Sequence, residues 1–136
     1  MKICVLFLLN SDVFNVEIWE YFFKNNENKY SIFYHSDKNI NECSFLKNKK
    51  INKIIDTSWG DISLVKATTN LLESAYLDLS NFKFILVSEK CIPIKSFDYI
   101  YNYLTKNNKS YINYYDHLFN TRFPWVENIR IRNLTR

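Results

Sequence analysis

Apolar and polar residues alternate along the chain in blocks that predict strands and helices in turn. Residues 2–9 form a continuous apolar run, which is typical of a strand covered on both of its faces. From 16 to 23 the apolar positions recur at helical spacing, and four polar residues then end the pattern. Short apolar runs at 30–34 and 82–87 predict two further strands, of which 82–87 has the stronger pattern.

The remaining blocks continue the alternation of strand and helix. A polar, Lys-rich loop is predicted over 38–50, a third short strand over 51–55 and a long helix over 62–79. Ser96 is placed to cap a helix that extends to Leu104, and 111–114 has the pattern of another strand. Alternating strands and helices predict an α/β sandwich around a mostly parallel sheet. With no repeat and no linker, the chain is predicted to form one domain over 1–136.

Polar residues follow each predicted strand and mark the region where a ligand is expected. In open α/β sheets, ligands bind outside the carboxyl ends of the strands. The polar groups at those ends are Asn10-Ser11, His35-Ser36-Asp37, Asp56 and Ser88-Glu89. We therefore predict a binding site formed by these segments.

His35 and Asp37 share one face of an extended segment, and two interpretations of the pair stay open. Asp37 could accept hydrogen bonds from a ribose or a base while His35 shapes the pocket. Alternatively, Asp37 caps a turn and His35 is partly buried. A His-x-Asp pair could also ligate a metal, but two ligands without a third nearby are weak evidence for a metal centre.

Two further segments carry candidate binding residues. Glu89, after Ser88, could serve as an acid, a base or an acceptor for a substrate hydroxyl, and the alternative is a solvated loop. Trp59 could stack on a base or a sugar, or it could anchor the core. It precedes Gly60, the only glycine, whose value lies in a positive φ or in close backbone approach.

Composition and charge exclude several classes of function. A single glycine excludes both Gly-rich phosphate loops and the GxSxG nucleophile elbow. The net charge is +4, and all four arginines lie within residues 122–136. Arg130 and Arg132 alternate as in a strand, so both could bind a diphosphate, or they could belong to a frayed basic terminus. If the arginines of this tail bind nucleic acid, the chain is instead an unrelated Rossmann-like nucleic-acid-binding module.

Other absences and patterns refine the picture. No Asp-x-Asp motif is present, so the usual metal–diphosphate clamp of sugar-nucleotide transferases is missing. The three cysteines match no zinc spacing and no disulfide framework, and Cys4 and Cys91 are expected to be buried thiols among apolar residues. The opening apolar run lacks a signal-peptide cleavage site and is too short to span a bilayer, so a buried strand is predicted there.

Four stretches of the chain, in order, resemble the core-2/I-branching family of β-1,6-N-acetylglucosaminyltransferases (family 14 glycosyltransferases). The third and fourth stretches are the specific ones, and the resemblance covers roughly residues 2–113. The stretches are KICVLFLLN with the following EIWEYFF, YSIFYHSDK, SWGDISLVKATTNLL and NFKFILVSEKCIPIKSFDYIYNYL.

The resemblance implies a GT-A fold and an inverting transfer of N-acetylglucosamine from a UDP donor to a glycan hydroxyl. It also implies metal independence, so the expected ligands are the UDP-sugar donor and the glycan acceptor, with no metal, no other cofactor and no nucleic acid. By this resemblance Asp37 belongs to the nucleotide pocket. Ser88 and Glu89 occupy the loop that carries the metal motif in metal-dependent relatives.

The chain departs from the family in length. The general base, the acceptor-binding residues and the phosphate-binding basic residues of the family lie downstream of the matched stretches, so no catalytic residue is assigned here. We expect a truncated or split transferase that represents the nucleotide-sugar-binding half. The alternatives are an inactive remnant that binds a UDP-sugar, or a chain that pairs with a second polypeptide supplying the other half.

Overall fold

A computed structural model describes residues 1–111, which form a three-stranded parallel sheet flanked by helices. The strand order is β2-β1-β3, so the first strand lies in the centre. This arrangement confirms the predicted α/β class with a parallel sheet. The elements are β1 (Lys2–Leu8), α1 (Val16–Phe23), β2 (Tyr30–His35), a 3₁₀ turn (Ser44–Leu46), α2 (Ile62–Tyr76), β3 (Asn81–Val87) and α3 (Phe97–Thr105).

The alternation of side chains along β1 explains why this strand is apolar throughout. Ile3, Val5 and Phe7 pack on one face, against the aromatic side chains of α1 and against α3. Cys4 and Leu6 pack on the opposite face, beneath α2. Since successive strand residues point to opposite faces, a strand covered by helices on both sides needs apolar residues at every position. The prediction of a doubly covered first strand is confirmed.

The helix predictions are confirmed at α1 and α3 and need a correction at α2. Ser96 caps α3 as predicted, because its Oγ accepts the Tyr99 N–H at 3.4 Å. α2 ends at Tyr76 rather than at 79, and Leu79 is 92% exposed. The side chain of Asp78 accepts the Ser80 N–H at 2.9 Å, which stabilises a turn directly after the helix.

The predicted third strand over 51–55 is wrong. Tyr34 of β2 forms a single isolated bridge with Lys50, and the chain then leaves the sheet. Ile51 is buried and Ile54 packs beside it against the second core cluster, below α2. The apolar residues of this segment therefore reflect packing against a helix and not pairing with a strand. Side chains take the backbone hydrogen bonds that a neighbouring strand would otherwise take.

Two other expectations are corrected or lie outside the described residues. Cys91 is exposed, whereas Cys4 is buried as expected, and burial raises the pKa of the Cys4 thiol to about 11. The strand predicted over 111–114 begins at Tyr111, which is in no strand, and its other residues lie beyond the described range. No helix within residues 1–111 is long and apolar enough to cross a bilayer.

The outer side of β3 faces an apolar groove. Leu86 of this strand is 51% exposed, and within residues 1–111 the strand pairs only with β1. Apolar side chains of α3 and of the segment before it line the groove, among them Ile94, Tyr99 and Tyr103. The apolar groove therefore lies beside β3, and its lining reaches Val87 and Cys91, next to the loop of Ser88 and Glu89.

Candidate functional site

The three strands end at one edge of the sheet, where their following segments lie side by side. Leu8 pairs with His35, and Phe7 pairs with Val87, so the strands are nearly in register at this edge. The ends of β2 and β3 flank the end of β1 and are about 10 Å apart, because neighbouring strands are separated by about 4.8 Å. The candidate residues therefore form two groups, one after β2 and one after β3.

Asp37 carries a buried carboxylate at the end of β2. Its side chain is 2% exposed, and Oδ2 accepts the Thr57 N–H at 2.8 Å and the Lys38 ammonium at 3.2 Å. Burial acts to raise the pKa of Asp37, but the hydrogen bonds from Thr57 and Lys38 outweigh it and hold the pKa below its ordinary value. Oδ1 is buried and has no hydrogen-bond partner within residues 1–111. Asp37 is thus ionised, and one of its two carboxylate oxygens has no hydrogen-bond partner among residues 1–111.

His35 is fully buried beside it and is a neutral hydrogen-bond acceptor. Its Nε2 accepts the Ile55 N–H at 3.2 Å, so the proton of the neutral ring is on Nδ1. Nδ1 is buried and, in the described part of the chain, has no partner. Burial lowers the pKa of His35, as does the nearby Lys50 to a smaller extent, while Asp37 opposes the shift. The ring therefore stays uncharged at neutral pH.

The turn after β2 is made by Ser36 and not by Asp37. Ser36 Oγ accepts the Lys38 N–H at 3.2 Å, whereas the Asp37 carboxylate reaches a segment twenty residues further along the chain.

No group of three His, Cys, Asp or Glu side chains able to hold a metal occurs among residues 1–111.

Trp59 follows two residues after Thr57, whose N–H donates to Asp37, and is 84% exposed. The interpretation of Trp59 as a core anchor is therefore wrong. Gly60 has φ +75°, and a Cβ there would meet no atom within 4 Å. The glycine is needed for its positive φ and not for close approach. Asp61 then caps α2 by accepting the Ser63 N–H at 2.7 Å, so the Trp59-Gly60 turn leads directly into the helix.

The second group follows β3 and is fixed to the end of β1. Glu89 Oε2 lies 3.4 Å from the backbone nitrogen of Asn10, and the Glu89 carbonyl accepts the Phe14 N–H at 2.9 Å. Ser88 Oγ accepts the Lys90 N–H at 3.4 Å. Ser88 and Glu89 are partly buried, and Ser88 begins a turn, because its carbonyl accepts the Cys91 N–H at 3.2 Å.

Sequence reasoning missed three contributors to this edge. Asp12 accepts both the backbone N–H and the side-chain amide of Asn41, at 2.8 and 2.7 Å, and these bonds lower the pKa of Asp12. Thr57 supplies the N–H that fixes Asp37, and Asn70 of α2 donates to the Lys53 carbonyl at 3.2 Å. All three involve partners distant in sequence, so local spacing contains no signal for them.

The structure brings His35 and Asp37 together and puts Ser88 and Glu89 across β1, and Trp59 follows two residues after the Thr57 that donates to Asp37. Asp56, the remaining strand-end candidate, is exposed. Arg130 and Arg132 lie outside the described residues.

Comparison with known proteins gives this edge a family context. The sequence model of the Core-2/I-Branching enzyme family matches residues 4–129. The chain belongs to this family. The resemblance found in the four motifs is thereby confirmed. Over 102 residues this Core-2/I-Branching chain is 30% identical to glycosyltransferase BC10 of Oryza sativa subsp. japonica.

The match covers 70% of the chain and 26% of the BC10 protein, so the Core-2/I-Branching chain spans about a quarter of that relative's length. Family and relative together support a glycosyltransferase. No solved structure gives a significant match.

Proposed function

We propose that the carboxyl edge of the sheet binds a UDP-sugar and that the chain is the donor-binding part of a glycosyltransferase. The donor is UDP-N-acetylglucosamine or a related UDP-sugar, and the acceptor is a hydroxyl of a glycan. The observation that carries the proposal is the open Oδ1 of Asp37, a buried and ionised acceptor at the edge where α/β sheets bind ligands. Membership of the family supports the choice of a nucleotide sugar.

A buried acceptor without a partner costs about 1–3 kcal/mol, so a ligand that supplies a donor gains much of this energy on binding. The hydroxyls of ribose and the N–H of uracil are such donors. Lys38, whose side chain is half exposed, adds an ammonium 3.2 Å from Oδ2. The exposed Trp59, two residues after the Thr57 that donates to Asp37, offers an aromatic face for the base or the sugar.

Ser88 and Glu89 are proposed to lie beside the sugar of the donor. Their position across the end of β1, about 10 Å from the end of β2, suits a ligand that extends from nucleoside to sugar along the edge. In the transfer, the acceptor oxygen forms a bond to the anomeric carbon with inversion, and the bond to the phosphate oxygen breaks. UDP leaves with the electron pair. The base that takes the hydroxyl proton is unassigned.

The transfer is proposed to proceed without a metal, with basic side chains at the diphosphate. Arg130 and Arg132 remain candidates for this role.

A second chain, or a further part of a longer protein, is proposed to complete the acceptor side of the site. The chain spans about a quarter of its relative, which favours a donor-binding part over a self-sufficient enzyme. The apolar groove beside β3 is the surface that such a part would cover. An inactive remnant that still binds UDP-sugar is the alternative within the same site.

Calorimetric titration tests the proposal. The full chain, with EDTA present, is expected to bind UDP and UDP-N-acetylglucosamine with micromolar to millimolar affinity, about −4 to −8 kcal/mol. ATP and free N-acetylglucosamine serve as controls for general nucleotide and sugar binding. Absence of UDP binding by a folded protein would refute the donor site, and binding that requires added Mn²⁺ would refute metal independence.

The Ser88→Ala/Glu89→Ala variant is expected to lose more affinity for UDP-N-acetylglucosamine than for UDP, by about five- to thirtyfold, since one or two hydrogen bonds contribute about 1 kcal/mol each. Parallel titrations of the two ligands measure the difference. Glu89→Gln is the matched control, because it removes the charge and keeps an oxygen for the Asn10 N–H. Equal losses for both ligands would place this loop away from the sugar.

A further inference from the structure

The segment 53–57 is held beside β2 by side chains at alternating positions. The Lys53 carbonyl accepts from Asn70, the Ile55 N–H donates to His35, and the Thr57 N–H donates to Asp37. We call these three bonds the side-chain ladder. The ladder side chains are almost fully removed from solvent, at 5% exposure for Asn70, 0% for His35 and 2% for the Asp37 side chain.

The ladder couples His35 to Asp37 through the backbone of the segment. Ile55 and Thr57 are two residues apart, and both of their N–H groups donate to side chains at or just after the end of β2. The bond to His35 therefore fixes the position from which Thr57 donates to Asp37. Thr57 in turn occupies Oδ2 and leaves Oδ1 as the open oxygen.

We propose that His35 is a positioning residue for the nucleotide pocket: by accepting the Ile55 N–H, it holds Thr57 against Asp37 and sets the orientation of the carboxylate. The identity of the ligand, a UDP-sugar, rests on the proposed function, whereas the coupling between His35 and Asp37 does not. His35 contacts no reacting atom in this scheme and acts through Asp37.

Protonation of His35 breaks the ladder at its middle bond. A charged imidazolium carries N–H on both nitrogens, so Nε2 would face the Ile55 N–H donor with another donor. The charged groups that act on the ring are Asp37 on β2's own extension and Lys50 on the segment paired with Tyr34. Burial keeps the folded-state pKa below 6.5. Wild-type UDP affinity is therefore expected to fall as the pH drops through the folded-state pKa of His35, which lies below 6.5.

The stability of the fold changes in the same direction. Because the folded-state pKa of His35 is lowered, the unfolded chain binds more protons between that pKa and 6.5. The contribution of His35 to stability is complete above pH 6.5 and decreases as the pH falls. A pH profile alone would therefore mix the two effects, so site-resolved measurements are needed.

The experiment compares His35→Gln with His35→Leu in the full chain. The Gln side-chain oxygen can replace Nε2 as acceptor, whereas Leu fills similar space without one. NMR then measures the Thr57 amide exchange rate and the Asp37 carboxyl pKa, and calorimetry measures UDP affinity. Asn70→Leu is a further comparison, because it removes the Lys53 bond at the other end of the ladder.

In His35→Leu, exchange at Thr57 is expected to rise about tenfold, the Asp37 pKa to rise toward its ordinary value, and UDP affinity to fall about tenfold. His35→Gln is expected to keep all three near wild type and to remove the fall in UDP affinity that wild type shows at pH values below 6.5. An unchanged Asp37 pKa and Thr57 exchange in His35→Leu would overturn the inference. So would a His35→Gln profile with the wild-type pH dependence, which remains measurable if the Leu variant does not fold.

Failure of the inference and failure of the proposed function give different results. If wild type binds no UDP, the donor site is refuted, while Thr57 exchange and the Asp37 pKa still decide whether His35 positions the carboxylate. If wild type binds UDP but His35→Leu changes neither NMR value, the donor site stands and the positioning role is refuted.

Discussion

Replacing Asp37 by Asn is expected to lower the affinity for UDP by about tenfold or more while the protein stays folded. A hydrogen bond to a charged group contributes about 1.5–3 kcal/mol, and each 1.4 kcal/mol corresponds to a factor of ten. The Asn oxygen can still accept the Thr57 N–H, so the segment 53–57 keeps its anchor. The side-chain NH₂ group of Asn then faces the hydrogen-bond donors of the nucleotide, so two donors meet without an acceptor. Calorimetric titration with UDP measures the loss.

Asp56→Asn is the matched control for this change. Asp56 is exposed and directly precedes Thr57, so the substitution removes the same charge from the same edge without touching the carboxylate that Thr57 anchors. Its UDP affinity should stay within about twofold of wild type, since an exposed charge contributes little. Equal losses in both variants would indicate a general effect of charge, and wild-type affinity in Asp37→Asn would remove Asp37 from the pocket.

Phe7→Ala is expected to destabilise the fold by about 3–5 kcal/mol, the cost typical of truncating a buried Phe. Phe7 is fully buried in the central strand, and its ring lies 5.0 Å from that of Trp19 and 5.7 Å from that of Phe45. Small domains have a total stability of about 5–15 kcal/mol, so a large part is lost. Urea unfolding followed by tryptophan fluorescence measures the change in the free energy of unfolding.

Phe14→Ala provides the comparison for the same loss of side-chain atoms. Phe14 is 48% exposed in the loop after β1 and is expected to cost far less than Phe7. Similar costs at the two positions would show that Phe7 does not lie at the centre of the packed core.

The elements that sequence predicted well are those whose pattern is set by local periodicity. α1 has the predicted bounds, because its buried residues Trp19, Phe22 and Phe23 recur at the helical repeat and Asn25 follows with φ +62°. β1 was predicted from an unbroken apolar run. Its two neighbours in the sheet were also found, since short buried strands are apolar for the same reason.

The run over 51–55 was misassigned because apolarity does not reveal what a segment packs against. Ile51 is buried beneath α2, yet the backbone beyond it meets side chains instead of a strand. The information that would have excluded a strand lies at His35 and Asn70, which are distant in sequence. No periodicity within the segment contains it.

The candidate site was predicted in part for a similar reason. The carboxyl-edge rule placed His35 and Asp37 at the end of β2, and the structure puts both there. The bonds that define their chemistry go to residues 55 and 57, which only the fold brings near. The exposure of Trp59 and Cys91 could not be predicted either. Apolar neighbours in the sequence occur around core residues and around surface turns alike, so they do not distinguish the two.

The side-chain ladder also determines how the segment 53–57 can diverge in sequence. Its anchoring bonds use backbone atoms of the segment, so its side chains other than Ile54, which packs against the core, contribute little to its path. Most exchanges within it leave the bonds intact, whereas proline at 55 or 57 would remove a required N–H. The residues that specify the path are His35, Asp37 and Asn70. In an alignment of related chains, these three positions should therefore be conserved together, whereas the residues of the segment 53–57 other than Ile54 should vary.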